Sequence, residues 1–358
     1  MNLYKKRVIM KQKVIISENL ERDLVNAISE CEHDRIFILT DETTHEKCMP
    51  KMQSFLCLKG AQSIVIRPTD THKTLDTLAE VWTALSQGGA TRHSLMINLG
   101  GGMVTDLGGF AASTFKRGID FINVPTTLLA MVDASVGGKT GINFCGLKNE
   151  IGVFSDSRFV IINTSFLDTL DHENICSGYA EMLKHGLISN ENHWAELVGF
   201  DLDQPNLAQL QRMVAESIKV KELVVEEDPH EHGIRKALNL GHTIGHAFES
   251  FAMKHDRAVL HGYAVAYGLV CELYMSACKA GFPTDKMRQT VRFIIDNYGR
   301  FPFTCDDYPE LLELMRHDKK NTAGTINFTL LGGIGDIRIN QTATKEEIEE
   351  AMDFLREG

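Results

Sequence analysis

The chain has 358 residues, 43 % hydrophobic and 24 % charged, with a formal net charge of −11 at pH 7. That length suits two domains with a sizeable core, and the composition excludes a disordered or fibrous chain. The negative balance argues against a general nucleic-acid surface, so an anionic ligand would need a local cluster of cations.

Eight cysteines, at positions 31, 48, 57, 145, 176, 271, 278 and 305, include no CxxC pair and no framework spacing. They read as free thiols in a reducing compartment. The opening residues lack an export signal, and no run approaches the roughly 18 to 20 apolar residues of a membrane span. The expectation is a cytoplasmic protein without a membrane partner.

Up to about residue 165, short β-rich runs alternate with helical or loop stretches: KVIISE, RIFILTD, SIVIRP, SLMINLGGG, FINVPTT and FVIINTS. Continuous apolar strands separated by crossovers predict a parallel sheet covered on both faces, an α/β nucleotide-binding domain over 1–165. From 166 to 358 the pattern turns to long helical stretches, NLAQLQRMVAESIKVKELVVEE and HGYAVAYGLVCELYMSACKAG among them. Few strand-like runs occur there before INFTLLGGIG, which predicts a mainly helical second domain. The acidic piece EEDPHEHG reads as a solvated loop between helices, with a second, weak metal site as the alternative.

The first chemical signal is LGGGMVTDLGGF. Three glycines straight after a strand let the backbone approach a pyrophosphate, and the following helix offers its positive N-terminus. A plain tight turn is the other reading. Asp41, ending RIFILTD, stands where a carboxylate could take ribose hydroxyls or, equally, cap a helix.

The second signal runs from Lys116 to Asn149. Arg117, Lys139, Lys148 and Asn149 stand among Gly137, Gly138, Gly141 and Gly146, so cations are expected on flexible glycine loops that suit anions, with Asp133 close by. Lys219, Lys221, Arg235 and the HDKKN cluster with Lys319 and Lys320 add positive charge, although any one of them alone reads as a surface group.

The third signal is RKALNLGHTIGHAFE, where His242 and His246 lie four residues apart. On a helix both rings point the same way, as a metal ligand with a catalytic neighbour or as two ordinary helix histidines. SGYAEMLKHGLI carries Glu181, Lys184 and His185, and LHGYAVAYGL opens with His261. Polar groups in apolar helices need partners. Glu181, His242 and His261 together make a carboxylate and two imidazoles, a set that suits zinc and leaves a coordination position open for a substrate oxygen.

Taken together, GGGMVTDLGGF, FINVPTTLLAMVDASVGGKTGIN, GYAEMLKHGLI, RKALNLGHTIGHAFE, LHGYAVAYG and HDKKN resemble, in order, the 3-dehydroquinate synthases of the shikimate pathway. The resemblance covers nearly the whole chain. It implies an NAD-binding α/β domain followed by a helical metal domain, with the active site in the cleft between them and usually a homodimer. The implied substrate is 3-deoxy-D-arabino-heptulosonate 7-phosphate, which is oxidised, loses phosphate, is reduced, opens its ring and closes by aldol addition.

By the same resemblance Glu181, His242 and His261 hold zinc, or cobalt in its place, and His246 touches the substrate and helps move protons. Asp133, Lys139, Asn149, Lys184, Lys221, Arg235, Asn239, Lys319 and Lys320 match positions that hold the substrate, and Arg117 matches an arginine that reaches into the neighbouring subunit. NAD would lie on Gly101, Gly102 and Asp106, with Asp41 on ribose, Lys139 and Lys148 nearby, and Thr126, Thr127 and Thr169 lining the pocket. One departure is visible: where the family carries PxGExxK this chain has RPTDTHK, so Asp70 and Lys73 stand in for its Glu and Lys.

Two other enzyme readings compete, another sugar-phosphate cyclase and an iron- or zinc-dependent polyol dehydrogenase. The latter would reduce NAD stoichiometrically, whereas a synthase returns it. A non-catalytic nucleotide-binding protein would leave the metal set and the cations without a purpose.

Overall fold

The computed structural model describes residues 12–145, 147–316 and 326–358. Its chain divides into two compact units, one ending at Leu170 and the other beginning at Asp171.

In the first unit the elements follow as β1 (Lys13–Ile16), α1 (Leu20–Ser29), β2 (Ile36–Asp41), α2 (Glu42–Lys47), β3 (Gln62–Ile66), α3 (Leu75–Gln87), β4 (Leu95–Gly100), α4 (Gly102–Thr114), β5 (Asp120–Pro125), β6 (Lys139–Phe144), β7 (Leu147–Phe154) and β8 (Phe159–Ile162). The six apolar runs expected as strands are the six strands of one parallel sheet, ordered β1-β8-β5-β4-β2-β3. Helix starts follow side-chain chemistry: Asn19, Asp41 and Thr74 cap α1, α2 and α3 by accepting the backbone N–H of Arg22, Thr44 and Thr77. Burial of Leu39, Met96, Val104, Leu107, Phe121 and Ile142 ties the sheet, α4 and β6 into one core.

The stretch expected as glycine loops differs. Lys139 opens β6, and Lys148 and Asn149 lie on β7, its antiparallel partner in a two-stranded hairpin; Gly146 lies outside the described residues. The glycines have another reason. Gly141 and Gly152 face each other in register, and a Cβ on Gly152 would stand 2.1 Å from the Thr140 carbonyl oxygen. They let two backbones approach closely rather than making a floppy loop.

The second unit contains α5 (His172–Ser189), α6 (Glu191–Val198), α7 (Leu207–Glu227), α8 (His242–Lys254), α9 (His261–Met275), α10 (Thr284–Tyr298), α11 (Tyr308–Arg316), the antiparallel pair β9 (Asn327–Gly333) and β10 (Asp336–Thr342), and α12 (Lys345–Glu357). α5 and α9 are buried over most of their length, and α9 is apolar around most of its circumference, as a buried helix must be.

RKALNLGHTIGHAFE is not one helix. Ile234–Asn239 forms a 3₁₀ turn, Gly241 takes a left-handed φ of 80°, and α8 begins at His242. Arg235 and Asn239 therefore sit ahead of the helix that carries the histidines. Among the described residues no helix is long and apolar enough to cross a membrane.

Candidate functional site

In the helical unit α5, α8 and α9 bring a carboxylate and three imidazoles together. Glu181 is fully buried, and its Oε1 faces His242 Nε2 at 3.4 Å and His261 Nε2 at 3.6 Å. Those separations exceed a well-formed hydrogen bond, and among the described residues Oε1 has no hydrogen-bond partner. A buried carboxylate oxygen, a hard donor, between two borderline imidazole nitrogens fits a divalent cation such as zinc. His246 belongs to the same cluster: its ring centroid lies 5.3 Å from that of His242 and 5.9 Å from that of His261. Ligand atoms of the three histidines all lie within 4.8 Å of one another.

Electrostatics favour a cation there. Burial by itself would raise the pKa of Glu181, but the Lys184 ammonium, hydrogen-bonded to Oε2, and the neighbouring His242 hold it well below the usual carboxylate range. For His261 burial works downward, yet Glu249, with Glu181 behind it, pushes the imidazole up to about 10. Two carboxylates on one imidazole make a place that attracts positive charge, whether a proton or a metal ion.

Two contacts orient the rings. Glu249 Oε2 lies 3.2 Å from His261 Nδ1, and the Leu240 carbonyl oxygen lies 3.1 Å from His242 Nδ1. Each holds the far nitrogen and leaves Nε2 toward Glu181. Glu249 escaped the sequence reading, although its place seven residues after His242, on the same helix face, was a usable signal.

The substrate-holding candidates of this unit are spread over three elements. Lys184 is buried on α5 and Lys221 is buried on α7. Arg235, buried on the 3₁₀ turn, donates from Nη1 to the Pro229 carbonyl, and Asn239 donates to Glu231 Oε1 at 2.9 Å. Lys319 and Lys320 lie outside the described residues. As for the loop alternative, no set of three ligand atoms converges at His230 and His232 among the described residues.

In the α/β unit a separate network surrounds Lys73. Its buried ammonium meets Asp106 Oδ2 at 3.0 Å, Asn149 Oδ1 at 2.5 Å and Asp70 Oδ1 at 3.3 Å. Burial lowers the Lys73 pKa, and Asp106 and Asp70 more than reverse this. Burial drives the Asp106 carboxyl up against the pull of Lys73. Asp70 also sees Lys148 at 3.5 Å and accepts from Asn143 Nδ2 at 3.2 Å; despite its burial, Lys73 and Lys148 bring its pKa down. Asn143, absent from the sequence-derived set, joins the network from β6.

Gly101 and Gly102 open α4 straight after β4, with no side-chain cap, so the first N–H groups of this 13-residue helix are available to an anion. Thr126 and Thr127 follow β5 at the same carboxyl edge of the sheet, and Thr169 closes a 3₁₀ turn. Asp41 caps α2 through Oδ1, so of its two expected roles the cap is formed. Asp133 lies on the π-helical segment Ala130–Ala134.

Arg117 stands apart. It precedes β5 at the amino edge of the sheet, with φ 71°, whereas Thr126 and Thr127 follow the same strand. A six-residue strand spans about 20 Å.

The family models of the 3-dehydroquinate synthase N-terminal and C-terminal regions match residues 63–177 and 178–321. The chain belongs to the 3-dehydroquinate synthase family. A 3-dehydroquinate synthase of Parabacteroides distasonis is 54 % identical over 348 residues, 97 % of this chain and 99 % of that one. The Pyrococcus furiosus 3-dehydroquinate synthase is 38 % identical, covering 92 % of this chain and 95 % of its own.

Among solved structures, the 2-epi-5-epi-valiolone synthase of Streptomyces hygroscopicus, with NAD+ and Zn2+ bound, aligns at a TM-score of 0.85 and 25 % identity over 97 % of both chains. An iron-containing alcohol dehydrogenase of Thermotoga maritima shares the fold alone, at a TM-score of 0.66 and 12 % identity over 97 % of this chain and 98 % of its own. Relationship in sequence therefore favours the synthase family over the dehydrogenase alternative.

Proposed function

We propose that this chain is a 3-dehydroquinate synthase, converting 3-deoxy-D-arabino-heptulosonate 7-phosphate to 3-dehydroquinate and phosphate with NAD and zinc, or cobalt, as cofactors. The observation that carries the reading is Glu181 Oε1, buried and facing the Nε2 atoms of His242 and His261.

Glu181, His242 and His261 would hold the cation. A bound cation would supply stabilisation of alkoxide character on the substrate's vicinal hydroxyls, and NAD would supply a reversible hydride acceptor. Lys184 neutralises the second oxygen of Glu181, which leaves Oε1 free to face the imidazoles. His246, whose ring lies beside those of His242 and His261, suits proton transfer at the substrate hydroxyl. Asp133, Lys139, Asn149, Lys221, Arg235 and Asn239 would hold the carboxylate, hydroxyls and phosphate of the substrate, together with Lys319 and Lys320. Gly101, Gly102 and Asp106 would carry NAD, helped by Asp41, Asp70, Lys73, Lys148, Thr126, Thr127 and Thr169.

A homodimer is part of the proposal. Arg117 lies at the opposite sheet edge from Thr126, so it suits a neighbour's site better than its own. Phe144, Leu147, Ile151, Val153 and Phe154 on the hairpin are exposed apolar side chains, of the kind self-association covers. The free thiols support the cytoplasm, a reducing compartment, as part of the same proposal.

The test is to incubate the protein with zinc, catalytic NAD and the heptulosonate phosphate, following phosphate and reduced cofactor together. Many phosphates per enzyme without accumulating NADH supports the synthase. NADH appearing stoichiometrically with simple polyols, without phosphate release, refutes it. Sedimentation velocity reads the dimer.

A further inference from the structure

We infer that Glu272, a carboxylate fully buried in α9, is a positioning residue for the metal ligand His242. The inference rests on the proposed cation site. α8 starts at His242, and its N-cap, Gly241, has no side chain to satisfy the orphan N–H groups of the first turn. Glu272 supplies what the cap lacks. Its Oε2 accepts the Gly241 N–H at 2.6 Å, and its Oε1 accepts the N–H groups of Thr243 at 3.1 Å and Ile244 at 3.4 Å.

The residues clamped are those on either side of His242, so the peptide units that set the direction of its side chain are held by one carboxylate. A negative charge at a helix N-terminus also suits the helix dipole. The same helix α9 opens with the second imidazole ligand, His261. Glu272 thus couples the backbone of one ligand to the helix that presents the other.

Packing makes the clamp rigid. A Cβ on Gly268 would stand 1.9 Å from the Gly241 carbonyl oxygen, and a Cβ on Gly245 would stand 2.8 Å from that of Ala264. α8 and α9 touch through their backbones, which brings the Glu272 side chain within reach of the α8 start. The residue was visible in the sequence as the lone charge of HGYAVAYGLVCELYMSA, a run otherwise apolar enough to be buried.

The experiment compares the wild-type protein with Glu272→Ala and Glu272→Gln, each freed of metal and titrated with Co2+ against a chelator. Absorption of the bound cobalt and far-UV circular dichroism are recorded in parallel. Glu272→Ala is expected to weaken cobalt binding by about 10- to 100-fold and to alter the visible cobalt bands, as loss of an orienting partner does. Glu272→Gln keeps one acceptor oxygen and turns an NH2 toward a backbone N–H, so it should fall between the two.

A folded Glu272→Ala with wild-type cobalt affinity and spectrum would overturn the inference. If the alanine variant does not fold, wild-type binding and bands in Glu272→Gln overturn it instead, and weakened binding with altered bands supports it. A lower melting temperature with an unchanged cobalt spectrum marks a purely structural role and also overturns it. Failure of the wild-type protein to bind cobalt at all is a separate result, which removes the cation site itself.

Discussion

Glu249 Oε2 lies 3.2 Å from His261 Nδ1, on the opposite side of the ring from Glu181. One carboxylate thus fixes the ring and another faces the nitrogen left for the metal. Replacing Glu249 with alanine should weaken zinc by about 10- to 100-fold. Competition with a chromogenic chelator measures this, and wild-type affinity would mean that ring packing alone holds His261.

His246 shares the cluster with His242, so their roles separate only by mutation. His242→Ala should lose both metal and turnover, since a three-ligand site rarely keeps its ion with two ligands. His246→Ala should retain stoichiometric metal while turnover falls about 10²- to 10⁴-fold, the usual scale of a lost acid–base group. Metal content by mass spectrometry after gel filtration decides. Loss of metal from the His246 variant would exchange the two assignments.

Thr69 has φ 77° and ψ 151°, a region that glycine occupies readily and a β-branched residue does not. The family pattern has glycine here, one residue ahead of the carboxylate that is Asp70 in this chain. Thr69→Gly relieves strain of about 1–3 kcal/mol and returns up to about 1 kcal/mol as chain entropy. The net effect is expected to raise the melting temperature by about 2–4 °C. A fall on calorimetry would show that the Thr69 hydroxyl, 2.7 Å from that of Thr71, matters more than the backbone.

Asp228 holds the turn that leads into Arg235, accepting the N–H groups of Gly233 at 2.6 Å, His232 at 3.0 Å and Arg235 at 3.1 Å. Partial burial raises its pKa, but these three donors together bring it below the ordinary carboxylate value of 3.8. A carboxylate lowered on folding stabilises above the unfolded pKa and loses that contribution as pH falls through the folded one. The stability gap between wild type and Asp228→Ala should be constant at neutral pH and close below about pH 4. Denaturant midpoints across pH test it, and a gap that widens toward acid would reverse the sign.

Much of this was legible in the chain. The six strands of the parallel sheet announce themselves as apolar runs because both faces of such a sheet are covered, and the order of the motifs carries the family. What escaped has physical causes. The hairpin of Lys139, Lys148 and Asn149 reads as a loop because its glycines serve close strand contact, not freedom. The break at Gly241 is hidden because the helical spacing of His242 and His246 runs on smoothly from Arg235. Asn143, Glu249 and Glu272 act on Asp70, His261 and Gly241, partners 73, 12 and 31 residues away; local spacing can flag such residues but does not name partners at those distances.

The backbone contact between α8 and α9 also bears on how metal would enter. Helices that meet at Gly241, Gly245 and Gly268 have no slack to slide, so the ligand frame is finished before an ion arrives. Uptake into a finished frame reorganises little, and its free energy is available to the fold almost undiminished. The melting temperature should then climb with the logarithm of free zinc above its dissociation constant. A thermal melt becomes a gauge of how much of a preparation is loaded.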